Sequence, residues 1–319
     1  MSAMFDNCST LLSIDKWTVD TSAVTGTGSM FRDCSNLTSI DVSNFDTSNV
    51  TDMGGMFAGC AKLTSLDLTN FDFSKVETMY IMFQEASVLE SVTGFAGKDI
   101  HSCTNVKYMF GYCKKIKDFD FSGVNLGGVT DMSTMFSSCN PESVSFKNAD
   151  LSSVTNMSMM FNTYGGRLKT VDFGGCDLSN VTDVHNMFAM QTNLTDVTFG
   201  RTSKIQNADS MFLNTSVTTL PYISCSGDSV NISRFCGNTS TGSVVYEIRI
   251  DGGTITSMDY AFTNQPNIEM LTILSTIGLT AAPTQAFKGC TGLKQLFIPQ
   301  ENEYILAALQ TDLPDYDWE

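Results

Sequence analysis

The sequence predicts an α/β repeat, a right-handed solenoid of about twelve coils with a parallel sheet on one face and short helical turns on the other. Three observations predict it. The dipeptide Met-Phe recurs with its Phe at Phe5, Phe31, Phe57, Phe83, Phe110, Phe136, Phe161, Phe188 and Phe212, then decays to Arg-Phe at Phe235 and Ala-Phe at Phe262 and Phe287. The spacings run from 23 to 27 residues. Each unit also carries two apolar periods in a fixed order, and no unit can bury its apolar face alone, so neighbours must stack.

The third unit shows the pattern. Val50, Met53, Phe57, Cys60 and Leu63 fall three or four apart, the spacing of one buried helical face. Thr51 and Asp52 stand where a cap and a first-turn acid belong. Leu63, Leu66 and Leu68 then switch to L-x-x-L-x-L, a short strand, with Phe71 closing the turn. The same rungs read Leu37, Ile40, Val42 and Phe45 one unit earlier, and Leu168, Val171, Phe173 and Cys176 further on. Near the end they read Leu293, Leu296 and Ile298. Asp20, Asp46, Asp72, Asp150 and Asp177 follow the strand in D-x-S settings, where a carboxylate accepts local backbone N–H bonds.

Residues 1–215 form the regular repeats, 216–298 degenerate repeats continuing the same solenoid, and 299–319 a C-terminal cap and acidic tail. Pro299 stops the last strand, Glu301 to Gln310 forms a short amphipathic helix, and Asp315, Asp317 and Glu319 are solvated. The chain opens in mid-repeat at Met1 to Phe5. We therefore expect either missing upstream sequence or a neighbouring chain that covers the uncapped N-terminal coil.

The segment SNVTDMGGMFAGCAKLTSLDLTNFDFS, residues 48–74, resembles the BspA-like leucine-rich repeats of bacterial surface proteins, whose consensus runs near N-V-T-x-M-x-x-M-F-x-x-C-x-x-L-x-x-L-D-L-S-x-F-D-T-S. The resemblance extends over residues 1–215, and Phe287 to Leu293 resembles a sister subtype with Ala-Phe in place of Met-Phe. It implies a leucine-rich-repeat solenoid serving as a non-catalytic binding or adhesion module on a surface, with a protein or glycan ligand. Copies in phages imply the alternative of a virion component such as a tail fibre or spike. The family motif brings no catalytic residues, because its positions are all core. A cell-surface or secreted location is expected if the chain belongs to a longer exported protein, since MSAMFDNCSTLL lacks the pattern of a secretory signal.

Composition narrows the partners. Asp plus Glu outnumber Lys plus Arg by 34 to 18, a net charge of −16. That balance argues against nucleic acid, which needs a basic stripe, and against docking on anionic lipid. No apolar run reaches the roughly 18–20 residues of a membrane span, so no membrane insertion is expected. No nucleophile-and-base, zinc, P-loop or dinucleotide motif occurs, and we expect neither catalysis nor a cofactor. Cys8, Cys34, Cys60, Cys113, Cys139 and Cys290 each lie three residues after a repeat Phe, as core thiols would. Cys103 and Cys176 take other rungs; Cys225 and Cys236, in the degenerate region, are the pair to test for a bridge. His101 and His185 read as exposed loop residues, and the methionines as core filler.

One outward row is a candidate site. The central strand position reads Asp15, Asp41, Asp67, Thr93, Asp120, Ser145, Asp172 and Thr198, beside Ser39, Ser65, Ser91, Asp118, Ser143, Thr170 and Asp196. Asp41, Asp67, Asp118, Asp120, Asp172 and Asp196 are the candidate ligand-binding residues, and Asp15, Asp41 and Asp67 a weaker Ca²⁺ candidate. Carboxylates about 5 Å apart repel by roughly 0.8 kcal/mol in water, which a cation would relieve. The competing reading is a soluble face that discourages sheet stacking. The row holds no aromatic residue, which counts against stacking on sugars; Tyr80, Tyr108, Tyr112 and Tyr164 belong to the helical-turn side.

Overall fold

The computed structural model describes residues 1–218, 220–237, 247–299 and 302–315. Its described residues form parallel-sheet solenoid coils with little helix. Two compact units divide the chain: Met1–Val154 with Val171–Asp177, and Thr155–Thr170 with Leu178–Glu319. The predicted tail residues Asp317 and Glu319, and Glu301 at the start of the predicted cap, lie outside the described residues, as do 238–246 of the degenerate region.

In the first unit the L-x-x-L-x-L segments form short strands, β1 (Ser13–Ile14), β2 (Ser39–Ile40), β3 (Ser65–Asp67), β4 (Ser91–Thr93), β5 (Asp118–Asp120) and β6 (Ser143–Ser145), followed by β7 (Thr170–Asp172). Pairing is parallel and in register, Ser65 to Ser91 and Leu66 to Val92 for instance, so each apolar rung lies on its counterpart. Phe5, Phe31, Phe57, Phe83, Phe110 and Phe136 stack with ring centroids 5.4, 5.6, 5.7, 5.1 and 5.5 Å apart. A second column, Phe95, Phe121, Phe146 and Phe173, runs behind the strands at 5.0 to 5.3 Å. Phe57, Phe136 and their neighbours are fully buried, which is where stacked apolar rungs must put them.

The short helical turns expected before each strand are not helices. Among the described residues of both units the single α-helix is the C-terminal one. Around Phe31, the N–H groups of Ser29, Phe31 and Asp33 donate to Gly54, Met56 and Ala58 of the next turn at 2.8, 2.9 and 2.7 Å. The alternate N–H groups of Met30, Arg32 and Cys34 close local turns onto the carbonyls three residues back. An α-helix would spend all these groups along its own axis and leave the next coil unpaired. The alternation requires a left-handed residue two before and two after the Phe: Gly55 and Gly59 (φ +62° and +69°), Ser29 and Asp33, Tyr108 and Tyr112. Steps of three between apolar residues come from these turns and imitate a helical face.

Asx turns close the corners. Oδ1 of Asp20, Asp46, Asp72 and Asp150 accepts the N–H of the residue two ahead at 2.9 to 3.1 Å, as the D-x-S settings suggested. Asp52, read as a first-turn acid, does the same for Gly54 at 2.8 Å.

The second unit contains β8 (Asp177–Leu178) at its margin, β9 (Asp196–Thr198), β10 (Arg201–Thr202), β11 (Ile223–Ser224), β12 (Val230–Asn231), β13 (Glu247–Asp251), β14 (Thr254–Ser257), β15 (Met270–Ile273), β16 (Thr276–Ile277) and β17 (Gln295–Phe297). Two parallel ladders run here, β11-β13-β15-β17 and β12-β14-β16. Phe161, Phe188 and Phe212 form a ring stack at 5.5 and 5.3 Å. The register then departs from the sequence reading. Phe57, Phe83, Phe161 and Phe188 each donate an N–H to the carbonyl of the methionine before the next repeat Phe, whereas Phe212 donates to Phe235 and Cys236 to Ala261. Cys236 therefore holds the phenylalanine rung and Phe235 the methionine position.

Helix α1 (Glu303–Asp312) ends the unit, with Asn302 as N-cap and Ile305, Ala308 and Leu309 buried. Asp312 accepts the N–H of Phe287, a backbone group of the last coil, at 2.9 Å.

All ten cysteines are free, Cys225 and Cys236 included, and nine are buried. The thiols at the predicted rung have a polar task as well: Cys34, Cys60, Cys113 and Cys290 donate to the carbonyl of the preceding turn's phenylalanine at 2.9 to 3.1 Å. Gln191 fills the same rung, and its amide donates to the Phe161 carbonyl.

Candidate functional site

The outward row is where the sequence places it. On β3, β4 and β5 the flanking residues are exposed and the middle one buried. Asp15, Asp41, Asp67, Asp118 and Asp120 are exposed in the first unit, and Asp172 is half-exposed. Asp196 is exposed on β9 of the second unit.

The carboxylates are engaged locally. Oδ1 of Asp41, Asp120 and Asp172 accepts the N–H of Ser43, Ser122 and Gly174 at 2.9, 2.9 and 2.7 Å. Asp67 accepts the Thr69 N–H at 3.0 Å and, across the ladder, the Thr93 hydroxyl at 3.0 Å. The Ser143 hydroxyl bonds Asp118 in the same way. Hydroxyl donors beside the acids thus offset part of the repulsion along the row. Asp41 is held below the ordinary carboxylate range chiefly by the Ser43 N–H, and Asp67 chiefly by the Thr69 hydroxyl. Among the described residues no three His, Cys, Asp or Glu side chains converge as metal ligands would.

Each histidine pairs with a nearby aspartate. His101 is exposed, as expected, but His185 is half-buried. Each ring Nδ1 meets the aspartate two residues before it, Asp99 at 3.0 Å and Asp183 at 2.8 Å. Ser102 lies 3.4 Å from His101 Nε2, yet its hydroxyl donates to the Ser74 carbonyl at 2.7 Å.

Sequence reasoning missed a groove in the second unit. The chain runs alongside β9 as far as Thr218, whose N–H reaches the Thr195 carbonyl at 3.2 Å. By Leu220 to Tyr222 it borders a groove of about 700 Å³ together with Phe199, Arg201 and Asp251. An adjoining pocket of about 460 Å³ is lined by Leu220, Tyr222, Glu247 and Arg249. Tyr222 donates its phenol O–H to Asp251 Oδ2, and the Arg249 guanidinium sits 5.1 Å from the Tyr222 ring centroid. The signal was an aromatic and two arginines on a face otherwise built from Asp, Ser and Thr. The displaced register at Phe235 hid it.

Residues 1–121 and 104–220 match the sequence family described as Mycoplasma protein of unknown function, DUF285. Residues 208–309 match six copies of the BspA type leucine rich repeat region. No curated protein matches the chain. Among solved structures, a leucine-rich repeat protein from Bacteroides ovatus is similar over 93% of this chain and 63% of its own, at 14% identity and a TM-score of 0.34. This chain thus spans less than two thirds of that protein's length. A leucine rich cell surface protein from Faecalibacterium prausnitzii is similar over 96% of this chain and 78% of its own, at 15% identity and a TM-score of 0.31. An internalin from Listeria monocytogenes is similar over 86% and 78%, at 13% and 0.24.

Proposed function

Because the chain belongs to the DUF285 family and carries BspA-type leucine-rich repeats, we propose that it is a non-catalytic module that binds or adheres at a cell surface, recognising a protein or glycan through its outward ladder face. The observation that carries this reading is how the chain spends its side chains. The apolar rungs are buried in the columns, the corner acids close turns, and what repeats in the open is a row of carboxylates and hydroxyls. A repeated, chemically uniform surface suits extended contact with another surface. Among the described residues no helix is long and apolar enough to cross a membrane.

Asp41, Asp67, Asp118, Asp120, Asp172 and Asp196 are the residues proposed to meet the ligand. The test is attachment of beads coated with the chain to surfaces carrying purified matrix proteins or mucin. Attachment should exceed that of albumin-coated beads and fall in an Asp67→Lys, Asp118→Lys, Asp120→Lys variant. Attachment no greater than albumin, or unchanged by the triple substitution, overturns the reading.

A further inference from the structure

We propose that the groove under Tyr222 binds a carboxylated pyranose, a uronic- or sialic-acid unit. This goes beyond the adhesive reading, because it concerns the second unit's irregular region and not the regular acidic row.

Three features of the groove have unmet partners, and one kind of ligand meets them together. The first is positive charge. Arg201 lines the groove, Arg249 lines the adjoining pocket with Glu247, and among the described residues neither forms an ion pair with a carboxylate. In a chain with 34 acids against 18 bases, two guanidiniums left without one mark a place for an anion. The fork of a guanidinium matches a carboxylate in two parallel hydrogen bonds.

The second is an acceptor. Asp251 lines the groove and takes the Tyr222 O–H on Oδ2. A carboxylate oxygen has lone pairs for more than one donor, and a sugar hydroxyl is such a donor. Burial also raises the Asp251 carboxyl above its ordinary range.

The third is a platform. Tyr222 is 46% exposed as a residue, with Arg249 over its ring, and an exposed aromatic side chain can take the C–H face of a pyranose. The groove volume of about 700 Å³ lies in the range of small-ligand sites. An acidic peptide would satisfy the arginines but offers no ring of hydroxyls for Asp251. A neutral hexose would satisfy Asp251 and leave both guanidiniums unpaired.

The experiment is titration of the full chain with sodium glucuronate and with N-acetylneuraminate, read by saturation-transfer NMR, with glucose, acetate and inorganic phosphate as controls. At least one carboxylated sugar should bind, about tenfold tighter than glucose or acetate. Arg201→Gln and Arg249→Gln should each weaken it about tenfold, and Asp251→Asn should weaken it while the variant melts no lower than the parent. Asp67→Asn, far along the sequence on the regular row, should leave it unchanged. The proposal is overturned if neither carboxylated sugar binds, if glucose, acetate or phosphate binds as well, or if Arg201→Gln and Arg249→Gln both bind undiminished. Bead attachment that persists through any of these outcomes keeps the adhesive reading alone.

Discussion

At the scale of single residues, the corner geometry forces side chains into backbone conformations they resist. Thr134 is β-branched and holds φ +60°, where an L-residue is strained by about 1–2 kcal/mol. Glycine relieves that strain at an entropic cost of about 0.5–1 kcal/mol. Thr134→Gly should therefore stabilise the chain by roughly 0.5–1 kcal/mol, read from urea unfolding; a destabilised variant would show that the corner is not strained. The Asx acids make a second prediction. Asp20, Asp41 and Asp72 are held low chiefly by the N–H groups of Ser22, Ser43 and Ser74, and Asp46 and Asp67 chiefly by the hydroxyls of Ser48 and Thr69. Their folded carboxyls ionise below the unfolded value of 3.8. The stability they contribute is present above that value and is lost as pH falls through the lower folded ones. The melting temperature should fall steeply below about pH 4, and less steeply in an Asp46→Asn, Asp67→Asn variant, whose amides keep the turns. Asp251 has the opposite sign, since burial raises its carboxyl: at neutral pH its ionised form opposes folding, so Asp251→Asn should melt no lower than the parent.

At the scale of the elements, the columns hold the fold. Phe110 is fully buried, 5.1 Å from Phe83 and 5.5 Å from Phe136. Phe110→Ala should cost about 3–5 kcal/mol, because stacked coils above and below prevent collapse into the cavity. The thiol column predicts a reactivity pattern. Burial pushes Cys34, Cys103 and Cys176 up to about 11 and Cys225 and Cys290 up to about 12. Iodoacetamide at pH 8 should modify Cys8, the one thiol not fully buried, long before the other nine, with all ten reacting in denaturant. Rapid labelling of the buried nine would mean that the rungs open readily. These columns were legible in the sequence because apolar period and burial are directly coupled: Met53, Phe57, Cys60 and Leu63 are buried as their spacing demanded. The backbone between them was not. A turn closed onto the third residue back and a helical face share nearly the same apolar spacing, and only Gly55 and Gly59 hinted at positive φ.

At the scale of the whole chain, charge and surface chemistry decide what remains. The acidic row could be read from D-L and D-x-S patterns alone, because strand alternation fixes which residues face outward. The groove could not, since Phe199, Tyr222 and Arg249 come from separate turns whose register had drifted. Net charge gives the last prediction. At −16 the folded chain repels itself, and salt screens exposed charges separated by more than about 10 Å at 0.1 M. Raising NaCl from low to physiological strength should therefore lift the melting temperature by roughly 1–2 °C, the shift about 1 kcal/mol produces in a chain of 319 residues. Calcium is the sharper probe of Asp15, Asp41 and Asp67. Oδ1 of Asp41 and of Asp67 already accepts turn N–H groups, and a cation held there has to share oxygens that the corners use. We expect CaCl₂ at matched ionic strength to do no more than NaCl. A larger shift that saturates with calcium, reverses with chelator and disappears in Asp41→Asn would instead place a cation on the row, stabilising the folded state by mass action.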